Sequence, residues 1–265
     1  MSRAVLVDLT RCIGCRACQV ACKAWNDNPG ELTLCLGCYD NPPDLSADTW
    51  TMIQFNEVEF ADRLQWVFVK RQCMHCEHPG CVSACPVGAL RKLENGAVFY
   101  DEKRCIGCRY CMMACPFRVP KFEWDTAVPL IRKCSFCVDR LDQGLQPACV
   151  KACPTDALTL GDREELIAEA YRRFHARPGK YWGEIYGERE IGGTSWMYIS
   201  PVPFSELGFP DLETWPVTDW SEIATLATPG VMVGAVALLS GTYLLTKYHR
   251  QQQSEESSTP AEKEE

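Results

Sequence analysis

Strands joined by short connections are the first elements that the pattern of apolar and polar positions predicts. The apolar run AVLVDL, within residues 1–11, predicts a strand at the start of the chain. Two β-rich runs, 51–60 and 64–70, predict a hairpin because only Ala61, Asp62 and Arg63 separate them. The long stretch before this hairpin is rich in Asn, Asp, Pro and Gly, which is typical of a loop.

A second hairpin and a helix are predicted farther along the chain. The dipeptide Asn95-Gly96 separates two strand-like runs, which predicts a tight turn. Residues 157–160 predict a closing strand. Asp162 followed by Glu165 forms a capping box, which indicates a helix that ends near Ala176. This mixture of hairpins, helices and long loops indicates an α+β fold.

The last third of the chain changes character twice. Residues 177–222 are rich in Gly, Pro and aromatic residues, which indicates an irregular wrap over a partner subunit or, preferably, over the chain's own core. Residues 223–246 contain no charged residue and would span about 36 Å as a helix, enough to cross a membrane. A buried C-terminal helix is the alternative, but the uncharged run is long for one. Residues 247–265 are polar and are expected to be a disordered tail.

Charges on either side of the C-terminal apolar segment predict its orientation. Lys247, His249 and Arg250 follow the segment, whereas Asp219 and Glu222 precede it. The positive-inside rule then places the C-terminus in the cytoplasm and the preceding residues on the periplasmic, outer side of the cell membrane. The first nine residues lack a long apolar core and a twin-arginine pair, so no signal peptide is expected.

Cysteine content gives the loops a chemical role. The 265 residues include 18 cysteines, and sixteen of these fall into four groups of four, here called quartets. Gaps of two residues recur in every quartet and bring thiolates onto one loop, which indicates metal binding instead of a disulfide scaffold. The net charge of −8 argues against a nucleic-acid surface. The quartets are Cys12, Cys15, Cys18 and Cys22; Cys73, Cys76, Cys81 and Cys85; Cys105, Cys108, Cys111 and Cys115; and Cys134, Cys137, Cys149 and Cys153.

The spacing within the third quartet favours iron–sulfur clusters over zinc. Cys-x2-Cys-x2-Cys-x3-Cys followed by Pro116 is the bacterial ferredoxin pattern, in which three thiolates hold one cubane cluster and the fourth reaches a second one. Zinc ribbons instead join two cysteine pairs across a longer gap. We therefore expect four [4Fe-4S] clusters, with a structural zinc-binding assembly protein as the alternative from another class.

We expect each cluster to be held by three cysteines of one quartet and by the closing cysteine of another. The second and third quartets together match a two-cluster ferredoxin, which leaves the first and fourth to pair. Residues 1–176 are thus expected to form two ferredoxin-like modules, although a single fused domain is also compatible with the sequence. The expected ligand sets are Cys12, Cys15, Cys18 and Cys153 (set 1); Cys134, Cys137, Cys149 and Cys22 (set 2); Cys73, Cys76, Cys81 and Cys115 (set 3); and Cys105, Cys108, Cys111 and Cys85 (set 4).

Several other residues near the quartets could interact with the clusters. Cys35 and Cys38 belong to no quartet, and three interpretations are open for them: half of a fifth metal site, a disulfide, or two buried thiols. His75 and His78 lie inside the second quartet and are expected to donate a hydrogen bond to sulfur or to shape the loop, since cysteine already supplies four ligands. Five cations beside ligands either offset cluster charge or are ordinary surface residues: Arg16, Arg104, Arg109, Lys133 and Lys151.

Catalytic signatures are missing from the sequence. It contains no Gly-rich dinucleotide fingerprint, P-loop or nucleophile elbow. Four linked one-electron centres therefore predict a conductor of electrons that is not itself an enzyme.

Several segments carry a family resemblance. CIGCRACQVACKAWND, LCLGCYDNPPDLSADTWTMIQF, CVDRLDQGLQPACVKACPTDAL and IGGTSWMYI are similar to the iron–sulfur (beta) subunit of respiratory, nitrate-inducible formate dehydrogenase. KRQCMHCEHPGCVSACPVGAL and CRYCMMACPFRVPKF also resemble the corresponding subunit of quinone-reducing [NiFe] uptake hydrogenases. Both belong to the four-cluster electron-transfer subunits of molybdopterin oxidoreductases and membrane hydrogenases.

The resemblance implies a set of partners. It implies a catalytic subunit that holds a molybdenum or tungsten pterin, and a membrane cytochrome b that passes the electrons on to quinone. It also implies export of the folded chain together with a partner that bears the twin-arginine signal. A hydrogenase, or another molybdopterin oxidoreductase, remains the alternative to formate dehydrogenase.

Overall fold

The computed structural model describes residues 2–34 and 37–256. Cys35 and residues 257–265 of the predicted tail therefore lie outside the described residues. The chain divides into one compact unit that ends at Thr218 and a second unit that begins at Asp219. The quartets all lie in the first unit.

Short strands provide the framework of the first unit. They are β1 Arg3–Asp8, β2 Met52–Phe60, β3 Arg63–Arg71, β4 Leu90–Lys92, β5 Val98–Tyr100, β6 Lys121–Phe122, β7 Ile131–Arg132, β8 Leu158–Asp162, β9 Ile185–Tyr186 and β10 Trp196–Ile199.

Helices lie between and after these strands. They are α1 Ala17–Asn26, α2 Gly80–Ser83, α3 Tyr110–Met113, α4 Val138–Leu141, α5 Ala148–Lys151, α6 Arg163–Ala176 and α7 Val217–Glu256. Short 3₁₀ turns cover Glu102–Arg104, Glu190–Gly192 and Phe204–Leu207.

A sheet in the order β8-β1-β10-β9 forms the centre of this unit. β1 runs parallel to β10 and antiparallel to β8. Ala4 and Leu6 pack with α6 on one face, whereas Val5 and Val7 pack in the core on the other face. Burial of both faces explains why β1 is almost continuously apolar in the sequence.

Residues 177–222 differ from the expected irregular wrap. They contribute β9 and β10 to the central sheet, and the side chains from Trp196 to Ile199 are buried. The interpretation as an irregular wrap was wrong for these strands: β10 pairs with β1, which lies nearly two hundred residues away in the sequence, and β9 pairs with β10. Local composition does not reveal such distant pairing.

Both predicted hairpins are present. β2 and β3 pair antiparallel through a two-residue turn, in which Ala61 and Asp62 have φ of 52° and 57°. Positive φ at both central residues is typical of the type I′ turns that match strand twist. β4 pairs with β5 around Gly96, as the Asn-Gly dipeptide predicts.

Helix α6 is confirmed at both ends. It follows Asp162, whose carboxylate accepts a hydrogen bond from the Glu164 backbone N–H at 3.1 Å, and it ends at Ala176. This N-cap satisfies one of the free N–H groups of the first turn.

The second unit consists of helix α7. Its stretch Val217–Gln251 is long and apolar enough to cross a membrane and includes the predicted span 223–246. Large apolar side chains such as Leu226 and Val233 are exposed along it, unlike those of a buried core helix. The tail, expected to be disordered from residue 247, is helical through Glu256, a correction that follows from the absence of Gly and Pro in 247–256.

Candidate metal centres

Each quartet begins with a Cys-x2-Cys loop of the same backbone geometry. The residue before the second cysteine has a left-handed conformation in all four loops: Gly14 (φ 66°), His75 (φ 49°), Gly107 (φ 69°) and Phe136 (φ 58°). Glycine adopts this conformation without strain, whereas His and Phe lose about 1 kcal/mol in it. Contacts made by His75 and Phe136 must therefore offset the strain.

His75 and Phe136 meet in a stack between the second and fourth quartets. Their ring centroids are 4.9 Å apart with an interplanar angle of 22°, and Phe136 also packs on Trp196. The Nδ1 atom of His75 accepts a hydrogen bond from the Val98 backbone N–H at 2.8 Å. Burial, together with the charges of Lys133 and Lys92, lowers the pKa of His75, so its ring is neutral. His78, in contrast, is exposed.

The cysteines of set 2 surround one cavity. Lys70 and Trp196 also lie in its wall. The cysteines are Cys22, Cys134, Cys137 and Cys149. Cys22 belongs to the first quartet and the other three to the fourth, so the structure brings residues of two distant quartets to one place.

The cysteines of set 4 surround a second cavity. Apolar residues, including Leu90 and Ile131, complete its wall. The cysteines are Cys85, Cys105, Cys108 and Cys111. Here Cys85 of the second quartet lies with three cysteines of the third.

Within set 1, and likewise within set 3, the cysteines influence one another electrostatically. Burial raises the pKa of Cys12, and the charges of Cys153 and Cys15 raise it further. Burial likewise raises the pKa of Cys76, with added contributions from Cys73, Cys115 and Cys81. Cys153 is therefore close to Cys12, and Cys115 is close to the first cysteines of the second quartet.

Burial keeps most of these thiols protonated in the absence of metal. It raises the pKa of Cys18, Cys22 and Cys81 to about 12. Cys153 is an exception, because backbone N–H groups of Thr155 and its neighbours outweigh burial and lower its pKa. Since only a thiolate binds iron, cluster insertion at the buried cysteines must release protons.

Backbone N–H groups point at several of the sulfurs. The N–H of Ala89 lies 3.2 Å from the Cys85 Sγ, and the N–H of Phe136 lies 3.4 Å from the Cys134 Sγ. Such donors stabilise thiolate charge and tune cluster potentials.

The five cations selected from the sequence lie in different surroundings. Lys133 is buried and donates hydrogen bonds to the backbone carbonyls of Val98 and Cys134. Its charge lowers the pKa of Cys81 against the larger effect of burial. It is thus the one of the five that is enclosed near the ligands.

The other four cations are not buried. Arg16 donates to the Tyr39 carbonyl and lies over the Phe55 ring. Arg109 lies over two aromatic rings and is exposed, but it also lines the set 4 cavity. Arg104 pairs with Asp101 at the surface, and Lys151 is exposed, so solvent screens the charges of both.

Lys70 is a residue that the sequence reasoning missed. It is almost fully buried and lies in the wall of the set 2 cavity. The sequence does carry a signal for it, since Lys70 ends the otherwise apolar run WVFVK immediately before the second quartet. A lysine at the end of an apolar strand usually extends its charge into solvent, which is why it attracted no notice.

Cys38 has no metal-site partners among the described residues. It is exposed, and its Sγ lies 3.4 Å from the Asp40 carbonyl oxygen. The expectation of two buried thiols is therefore wrong for Cys38.

The cysteine cavities fit polynuclear clusters better than single ions. Within residues 2–34 and 37–256, no three His, Cys, Asp or Glu side chains converge closely enough to hold one metal ion. Instead, four thiols line each cavity of sets 2 and 4. His75 Nε2 and Trp196 Nε1 are buried without a hydrogen-bond partner in the described part of the chain, so they are available to cluster sulfur.

Repeated Cys-x2-Cys loops around thiol-lined cavities define an iron–sulfur protein of the ferredoxin type. Comparison with known families agrees. Residues 11–89 and residues 64–163 each match a 4Fe-4S dicluster domain.

Relatives identify the family more closely. The formate dehydrogenase, nitrate-inducible, iron-sulfur subunit of Escherichia coli K12 is 45% identical over 200 residues, which cover 74% of this chain and 67% of the relative. The formate dehydrogenase iron-sulfur subunit of Haemophilus influenzae is 39% identical over 252 residues, 92% of this chain and 80% of the relative. The hydrogenase-2 operon protein HybA of Escherichia coli O157:H7 is 36% identical over 282 residues, 93% of this chain and 84% of the relative.

The chain therefore belongs to the family of formate dehydrogenase iron–sulfur subunits and their HybA relatives. It is a non-catalytic electron-transfer subunit, and its cofactors are [4Fe-4S] clusters. This membership replaces the zinc-binding alternative.

Proposed function

We propose that this chain relays electrons through four [4Fe-4S] clusters from a catalytic molybdopterin subunit, a formate dehydrogenase, to a membrane cytochrome b and the quinone pool. The observation that carries the proposal is the mixing of quartets around common cavities. Cys22 joins three cysteines of the fourth quartet, and Cys85 joins three of the third. Each bound cluster would supply a site that takes up and gives back one electron.

The ligand sets are part of the proposal. The cavities support sets 2 and 4, and the electrostatic neighbours of Cys12 and Cys76 support sets 1 and 3. The chain holds the thiols around preformed cavities and excludes water from most of them. Tuning by Arg16, Arg104, Arg109, Lys133 and Lys151 stays a proposal, for which the burial of Lys133 gives the best support.

Electrostatic effects between cysteines of neighbouring sets support a linear order of the four clusters. At three places, burial raises the pKa of a thiol, and a cysteine from another set is close enough to raise it further. The pairs are Cys18 with Cys149 (sets 1 and 2), Cys134 with Cys73 (sets 2 and 3), and Cys81 with Cys111 (sets 3 and 4). We therefore propose the order 1, 2, 3, 4 for the relay.

The two ends of this order lie near the surface. Cys15 of set 1 is exposed, and Ile13 beside it is 58% exposed. At set 4, Ile106 and Tyr110 are exposed. Sets 2 and 3 consist mostly of buried cysteines. Exposed apolar side chains beside the terminal sets suit contacts with protein partners, where electrons would enter and leave.

We propose that α7 anchors the chain by a single membrane crossing. Its exposed apolar side chains support this, because a helix of this length and composition is stable in lipid. Lys247 and Arg250 after the apolar stretch support a cytoplasmic C-terminus and cluster-binding residues on the periplasmic side.

An iron–sulfur subunit of a quinone-reducing [NiFe] uptake hydrogenase is the second candidate. The HybA relative supports it, because that protein matches 93% of this chain. The formate dehydrogenase subunits show higher identity, 45% and 39% against 36%, and for this reason we favour them.

Anaerobic purification of the tagged chain from membranes, with its bound partners, tests the proposed function. We expect formate to bleach the broad visible absorbance of the clusters, and we expect a large subunit with molybdenum or tungsten to co-purify. Bleaching by hydrogen, with a nickel-containing partner, would establish the second candidate instead. A preparation that neither compound bleaches and that binds no membrane cytochrome would contradict both.

A further inference from the structure

Lys70 is a buried cation without an acidic partner. Its side chain lies on β3, and its residue is 2% exposed. The Nζ atom donates hydrogen bonds to the Thr51 Oγ1 at 2.7 Å and to the Gln72 Oε1 at 2.9 Å. It also lies 4.4 Å from the centroid of the Trp196 ring. All three partners are neutral, and no carboxylate pairs with Lys70 in the part of the chain that the structure describes.

A buried ammonium in such surroundings needs a countercharge to keep its proton. The four cysteines of set 2 line the same cavity as Lys70. A cluster held by their thiolates is negative and would supply that countercharge.

The position of Lys70 relates it to one ligand set. It lines one cavity together with the four cysteines of set 2. Trp196, which lies under its ammonium, is in the wall of the same cavity. Lys70 thus faces the place that a set 2 cluster would occupy.

We propose that Lys70 is a positioning residue whose ammonium, held by Thr51 and Gln72, lies beside the cluster of set 2 and raises its reduction potential. This inference rests on the proposed four-cluster function. Reduction of that cluster by one electron adds one negative charge, and a fixed cation nearby stabilises that charge. The electron comes from the preceding redox centre, no bond forms or breaks, and Lys70 keeps its proton.

The neighbouring lysine Lys92 provides a matched control. Its Nζ atom pairs with Glu77 at 3.1 Å and donates to the carbonyls of His75 and Gly96. The Glu77 carboxylate offsets its charge locally, and its cysteine neighbours, Cys76 and Cys73, belong to set 3. Removal of the Lys92 charge should leave the potential of the set 2 cluster unchanged.

The test is a redox titration of the complete membrane complex, monitored by electron paramagnetic resonance, with iron and sulfide counted in the same samples. Lys70→Gln and Lys70→Met should keep their clusters and lower the equilibrium constant for reduction of the set 2 cluster at least tenfold. For a one-electron centre this corresponds to about 59 mV. Lys70→Arg and Lys92→Gln should leave this potential near that of the unaltered complex.

Gln72→Glu tests the same charge without removing Lys70. A carboxylate at position 72 would place a negative charge against the Lys70 ammonium, and it would then lower the potential of the set 2 cluster. Full cluster content with unshifted potentials in Lys70→Gln overturns the inference. The same result in Gln72→Glu overturns it if the Lys70 variants do not assemble. A low iron and sulfide count in the unaltered complex would instead contradict the four-cluster function itself.

Discussion

His75 and Phe136 occupy backbone positions where the corresponding loops have glycine. Gly14 and Gly107 meet the left-handed requirement without strain, so their role is readable from the sequence. For His75 and Phe136 the compensating interaction is a ring stack between two quartets that are distant in sequence. The position of His75 inside the second quartet predicted a loop residue near sulfur, but no local sequence feature predicted that it would stack on Phe136.

The fourth cysteine of the third quartet tests ligand exchange at the scale of single residues. Cys115 is half-buried; burial raises its pKa, and the charge of Cys73 raises it further. We expect Cys115→Ser to alter the cluster built on Cys73 and to leave the one built on Cys105 intact.

The spectra of two reference variants show which cluster Cys115 binds. Electron paramagnetic resonance of Cys115→Ser should reproduce the changes seen in Cys73→Ser. If its spectrum matches that of Cys105→Ser instead, the closing cysteine stays with its own quartet and the exchange of ligands is wrong.

Elements formed by neighbouring residues were predictable, and elements formed by distant ones were not. The hairpins β2-β3 and β4-β5 and helix α6 follow from turn and capping residues that lie within a few positions of each other. β9 and β10 escaped prediction because the register of Val5 with Trp196 is not a local property. Lys70 was missed for a similar reason, since its burial depends on packing between β3 and the central sheet.

The turn between β4 and β5 links the second hairpin to the central sheet. Gly96 has φ of 89°, its carbonyl accepts hydrogen bonds from Lys92 and Ser195, and a Cβ there would collide with the Arg3 carbonyl oxygen. We expect Gly96→Ala to destabilise the chain by roughly 2–5 kcal/mol, from left-handed strain plus overpacking.

Gly179→Ala is the matched control for this turn. Gly179 has φ of 79°, but nothing lies within 4 Å of a Cβ there, so only the strain of about 1–2 kcal/mol applies. The measurement is the rate at which cluster absorbance is lost in guanidinium. Equal rates for the two alanine variants would show that the contact with Arg3 does not limit stability.

At the scale of the whole molecule, the proposed function makes the chain an electron carrier that helix α7 anchors in a membrane. The family, the ferredoxin-like cluster motifs and the apolar C-terminal helix were all readable from the sequence, because cysteine spacing and an uncharged run are properties of the chain itself. The helical continuation to Glu256 was not, since a polar segment can be helical or disordered with the same composition.

Topology can be tested with reporters fused to the C-terminus. We expect a cytoplasmic reporter after Glu265 to be active and a periplasmic one to be inactive, because Lys247 and Arg250 follow the apolar stretch. As a control, exchange of the flanking charges, with Lys247→Glu, Arg250→Glu and Glu222→Lys combined, should weaken this preference. Activity of a periplasmic reporter in the unaltered chain would reverse the proposed orientation.

The count of metal and sulfide in the anaerobically purified chain tests the central claim most directly. Four cubane clusters require about sixteen iron atoms and sixteen acid-labile sulfides per chain. We predict these values, together with a broad visible absorbance that dithionite bleaches. About eight iron atoms per chain, or zinc without sulfide, would contradict the four-cluster relay.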